Sequence, residues 1–197
     1  MKQMILSILV LSFAATASTQ ELYKDSIDRF IADYVKNHQV VTGAHKKQFR
    51  FFPVDESYRV TARFTKETNS TWMPVATSSG KPKQYRIYGW LEFTLAGSKQ
   101  KLALYQSQFL LQQKVYADYL FLPFKDATNG KESYATGRYL DLKTTDIRNG
   151  QLILDFNKAY NPYCAYVSEG YSCPVPPREN HLKIAINAGE QQFAKEE

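Results

Sequence analysis

"YRIYGWLEFTLAGSKQKLALYQSQ", residues 85–108, sets the architecture of the chain. In its first half, Tyr85, Ile87, Gly89, Leu91, Phe93 and Leu95 alternate with Arg86, Tyr88, Trp90, Glu92 and Thr94. Successive side chains of a strand point to opposite faces, so this period of two predicts a strand. Ala96 to Lys99 forms a tight connection, and residues 100–108 form the returning strand of a hairpin. Both faces carry large side chains, which predicts a core on one side and a cover of loops or helix on the other.

The same period runs outward in both directions. Upstream, Tyr58, Val60, Ala62 and Phe64 alternate with Arg59, Thr61, Arg63 and Thr65. "TWMPVAT", residues 71–77, is a short strand whose Pro74 places it at an edge or a bulge. Downstream, "YADYLFLPF" leads through a turn-rich loop to a short strand at about 138–142. Asn149-Gly150 then turns the chain into a strand over 151–156, and "HLKIAIN", residues 181–187, is the last strand expected. The fold class is mainly β, an antiparallel barrel or sandwich, with one N-terminal amphipathic helix. That helix covers about 22–37, where Tyr23, Ile27, Phe30, Ile31, Tyr34 and Val35 recur at the spacing of one helical face.

The first residues read as a processing signal. Lys2, an apolar run from Met4 to Ala15 and the small residues Ala15-Thr16-Ala17 have the order of a secretory signal peptide over 1–17, leaving a single β-rich domain over 18–197. This predicts an exported protein, periplasmic or extracellular, with no membrane span in the mature chain. Without residues 1–17 the chain carries 24 basic and 19 acidic residues. Its densest basic cluster, Lys46, Lys47 and Arg50, is too sparse to neutralise a run of phosphates, so no nucleic-acid partner is expected.

Three runs carry a family resemblance: "YLFLPFKDATNGKESYATGRYLDL" (119–142), "LDFNKAYNPYCAYVSEGYSCPVPPREN" (154–180) and "LKIAINAGE" (182–190). Together they resemble the signature of the family catalogued as domain of unknown function 1684, with weaker similarity through 51–64 and 85–95. Asp126, Thr128, Gly130, Glu132 and Arg138 fit its pattern, as do Asp155, Asn157, Tyr160, Asn161, Cys164, Cys173, Asn180 and Glu190. Ser133 stands where the pattern carries Thr, and Tyr163 stands where a proline often follows. The resemblance implies that these motifs form one unit, and it brings no established reaction.

Cys164 and Cys173 suit a disulfide in an oxidising compartment. The other readings are a thiolate metal site completed by His181, a cysteine nucleophile, and two inert buried thiols. "KDATNGKES" places oxygen-bearing side chains around Gly130, in a turn where Asp126 accepts backbone hydrogen bonds or, alternatively, at a hard-cation site. No cofactor and no metal are expected.

Asp126, Glu132, Arg138, Asp155, Asn157, Asn161, Asn180 and Glu190 stand on loops or strand ends, and folding could gather them in a pocket walled by Tyr134, Tyr139, Tyr160, Tyr163 and Trp90. Such a pocket suits a glycan or another small polar molecule, with Asn157, Tyr160, Asn161, Asn180 and Glu190 as ligand contacts. The alternative is a carboxylate-dependent hydrolase in which Asp126 or Glu132 is acid or base, Asp155 orients it and Arg138 steadies developing charge. The competing structural account is a buried ion-pair network, with Arg138 paired to Asp155 or Glu132.

Overall fold

The structure, a computed structural model, describes residues 2–194 and the side chains of residues 20–194. The expected signal peptide, residues 1–17, lies outside the described side chains. Seven antiparallel strands form one sheet: β1 (Arg59–Lys66), β2 (Met73–Val75), β3 (Lys83–Leu95), β4 (Ser98–Ser107), β5 (Tyr119–Phe124), β6 (Arg138–Lys143) and β7 (Gln151–Asp155). Their order is β6-β5-β4-β3-β1-β7, with β2 paired to β3 off this path. The sheet curls into a half-barrel, so the choice between barrel and sandwich falls to an open form of the first.

The hairpin β3–β4 turns at Ala96 and Gly97, both at positive φ, as a two-residue turn matched to strand twist requires. One face of the sheet is the main core, built by Ala62, Leu91, Phe93, Leu102, Leu104, Leu120, Leu122, Leu140, Leu152 and Leu154. These are the alternate positions of each strand, as the period of two demands.

Two strand expectations change. In β3 the register shifts between Ile87 and Gly89, leaving Tyr88 as a bulge. An extra residue reverses the alternation, so Tyr85 and Ile87 lie on the opposite face from Leu91 and Phe93. At the bulge a Cβ on Gly89 would stand 2.3 Å from the Phe64 ring and 2.6 Å from the Thr65 carbonyl, which explains the glycine. The segment 181–187 is not a strand. It crosses the end of the sheet, with Leu182 and Ile186 in the core and its peptide groups bonded to Lys125, Ala127 and the Arg138 guanidinium.

Helix α1 (Lys2–Asn37) ends at the residue the sequence pattern indicates. Ile27 is fully buried, and Tyr34 packs edge-on against Phe49, Phe51 and His38. Among the described residues no helix is long and apolar enough to cross a membrane. A disulfide joins Cys164 and Cys173, fixing one loop of the C-terminal segment.

Candidate functional site

The second face of the sheet carries a different population. Tyr85 of β3, Tyr105 of β4, Phe121 of β5 and Tyr139 of β6 form an aromatic layer, with Phe121 and Tyr139 edge to face at 4.7 Å. Tyr160 extends the layer, because its backbone pairs with Tyr139 in both directions beyond the edge of β6. A pocket of about 1230 Å³ opens over this layer. Residues of both terminal strands line it, Asp141 from β6 and Ile153 and Asp155 from β7, so it spans the opening of the half-barrel. Phe30 and Tyr34 of α1 close one side, and Tyr171 to Pro174 of the stapled loop close another.

Asp141 is the polar centre of the aromatic wall. Its Oδ1 accepts hydrogen bonds from the hydroxyls of Tyr119 at 2.7 Å and Tyr160 at 2.6 Å. Its Oδ2 receives none among the described residues, and the side chain keeps access to solvent. Burial among protein atoms pushes its carboxyl above the usual range, while the two tyrosine hydrogen bonds act the other way. Burial and the neighbouring carboxylate both hold the Tyr119 and Tyr160 phenols protonated.

Most of the residues singled out from sequence converge elsewhere. Arg138 and Asp126 form a fully buried ion pair at 2.9 Å, so the arginine's partner is neither Asp155 nor Glu132. The guanidinium also donates to the carbonyls of Ile186, Ala188 and Glu190, while Asp126 accepts from Thr128 and the Ile186 amide. The turn reading of this loop holds: Asn129 Oδ1 accepts the Asp126 amide, and Gly130 takes a φ of 81°. Among the described residues no group of three or more His, Cys, Asp or Glu side chains is placed to hold a metal.

The asparagines bond mainly to backbone, with Asn157 also donating to the side chains of Tyr23 and Asp155. Asn180 contacts Ala103 through both amide atoms and also donates to the Pro123 carbonyl, bridging β4 and β5. Asn157 joins Asp55 to the Tyr23 hydroxyl of α1, and Asn161 donates to the Gln191 carbonyl. Glu190 is buried and accepts from Tyr166, Tyr34 and the Asn161 amide. Burial pushes its carboxyl up to about 7.

Glu132 and Tyr134 line a separate groove of about 810 Å³, and Trp90 donates to Glu67 outside both. Of the residues expected around a pocket, Asp155, Tyr139, Tyr160 and Tyr163 line the large one. Asp141 escaped the sequence reading, although its signal was present. It alternates with Leu140 and Leu142 in a strand and so faces away from the core.

A curled antiparallel half-barrel with an N-terminal helix, a buried polar brace and an aromatic pocket on its second face defines a mainly β protein. The chain belongs to the family described as protein of unknown function (DUF1684), whose model matches residues 45–191. It is also similar to the solution structure of an uncharacterised protein of Haloarcula marismortui, at 29% identity and a TM-score of 0.61 over 91% of this chain and 96% of that one. Among the curated proteins there is no match.

Proposed function

We propose that the chain acts, after export and removal of residues 1–17, as a single binding module that holds a small amphipathic molecule, a glycan or another small polar compound, in the pocket over Asp141. The observation that carries this reading is a solvent-reachable carboxylate fixed by Tyr119 and Tyr160 within an aromatic wall. Apolar lining with a few convergent polar groups is the usual character of small-molecule sites. The hydrolytic alternative draws less support, because Asp126 and Arg138 are sealed from solvent and spent on each other.

Phe30 and Tyr171 provide the test, since both line the pocket while remaining 38% and 44% exposed. Replacing Tyr171 with alanine is expected to weaken binding of a pocket ligand about tenfold, as loss of an aromatic contact does, and to leave the thermal midpoint unchanged. The measurement is an NMR titration of isotope-labelled protein with methyl glycosides and small amphipathic alcohols and amines. Shifts confined to Tyr85, Tyr119, Tyr139 and Tyr160 support the reading, and a panel that moves none of them refutes it.

A further inference from the structure

The direction of the hydrogen bonds in the pocket narrows the ligand. A tyrosine hydroxyl has one proton to give, and in this pocket four of those protons are already committed. Tyr119 and Tyr160 give theirs to Asp141, Tyr139 gives its own to the Pro174 carbonyl, and Tyr34 donates to Glu190. What these groups still offer is lone pairs, joined by the free Oδ2 of Asp141. The basic side chains of the lining are drawn to other partners. Lys83 donates to the Ser172 carbonyl at 2.7 Å, Lys158 lies 5.4 Å over the Phe30 ring, and Arg59 lies 5.7 Å over that of Tyr23. Arg148 is exposed on the connection from β6 to β7.

The cluster of Asp141, Tyr119 and Tyr160 accepts and does not donate, whereas the Tyr163 and Tyr171 hydroxyls of the same pocket have no acceptor among the described residues, so the discrimination between polar groups is made at the cluster. A sugar hydroxyl or an amide placed at this cluster needs donors as well as acceptors, and its own oxygen would meet only the oxygens of Asp141, Tyr119 and Tyr160 there. A primary ammonium has three donors and no acceptor. Its charge is also attracted to aromatic faces and to a carboxylate set among them. We infer that the pocket selects a primary organic ammonium on an apolar or aromatic body, bound through Asp141 Oδ2 with the hydroxyl oxygens of Tyr119 and Tyr160 beside it. This rests on the pocket being a ligand site, and it names the ligand class.

Three probes on one phenylethyl body separate the possibilities: 2-phenylethylamine, its N,N,N-trimethyl analogue and 2-phenylethanol, each titrated into the mature protein at neutral pH by NMR. The amine is expected to bind at least about tenfold more tightly than the alcohol, the range of a hydrogen bond to a charged group. The trimethyl analogue, which has charge and no donor, is expected to fall between them. In Asp141→Asn the amine-to-alcohol ratio should fall to about one, since an amide in place of the carboxylate removes the charge. A second variant, Tyr119→Phe, frees an Oδ1 lone pair and should keep the amine preference. An alcohol bound as tightly as the amine, or a preference surviving Asp141→Asn, overturns the ammonium inference and leaves the pocket standing. If no probe moves the pocket resonances, both fall.

Discussion

At Glu190 local geometry and charge meet. Gly189 takes a φ of 76°, and a Cβ there would stand 2.6 Å from the Ala159 carbonyl, which accepts the Glu190 amide at 2.8 Å. That close approach seats the carboxyl between Tyr34 and Tyr166, out of water. Its folded value of about 7 lies above the ordinary 4.5, so the folded chain binds the extra proton between these values. The stabilising contribution is therefore complete below about pH 4.5 and is lost as the pH rises through 7, by on the order of 3 kcal/mol. His38 acts in the opposite sense. Its burial among aromatic rings and the charge of Lys46 lower it to about 4 from 6.5, so its contribution is lost as the pH falls through that interval. The two slopes offset each other in mild acid. In Glu190→Gln the alkaline loss should vanish and the acid loss due to His38 should stand alone, as urea unfolding at a series of pH values will show. A mutant curve parallel to the wild type between pH 5 and 8 would reject this assignment.

Between elements, β4 and β5 present a gap that one side chain fills. Their register is carried by Tyr105 and Phe121 alone, and Pro123 has no amide proton to give. Asn180 reaches in from the C-terminal segment and bonds the Ala103 amide and carbonyl and the Pro123 carbonyl, at 2.7 to 2.9 Å. Removing it leaves three buried backbone groups unpaired. Asn180→Ala should therefore cost about 2–4 kcal/mol, more than one ordinary hydrogen bond; a loss below about 1 kcal/mol would mean that water replaces the amide. The bulge at Tyr88 is the second element-scale device, since it turns Tyr85 toward the pocket. Gly89→Ala should destabilise strongly, because the Phe64 ring and the Thr65 carbonyl cannot both retreat. Strand positions were legible because a half-buried sheet writes its period into the sequence. The bulge was not, because one extra residue alters pairing without altering composition, and the period appears unbroken across Tyr88. Segment 181–187 misled for a related reason: Leu182, Ile184 and Ile186 alternate toward a core, but their backbone bonds go to the 125–127 loop and Arg138.

Over the whole molecule, polar residues divide into a brace and a pocket lining, and the sequence did not separate them. Asp126, Arg138, Asn161, Asn180 and Glu190 share a loop-rich character with residues that hold ligands, and only the structure reveals that they are buried and bonded mainly to one another and to backbone. Asp141 stayed hidden because its meaning depends on Tyr160, nineteen residues away, and on a sheet edge that closes over it. The disulfide links the two halves of this division. Cys164 lies near the brace, where the Tyr134 hydroxyl donates to its carbonyl, while Cys173 lines the pocket beside Tyr171 and Pro174. Reduction should then act on stability and binding together. The short closed loop contributes about 2–3 kcal/mol, and its release should loosen the pocket wall formed by Tyr171 and Pro174. For protein made in an oxidising compartment, intact mass should lie two hydrogens below the reduced value. Reductant should lower the urea midpoint and weaken 2-phenylethylamine binding in parallel. If reduction lowers stability while the affinity is untouched, the stapled loop belongs to the brace alone, and the ligand is held by the sheet, Tyr160 and α1.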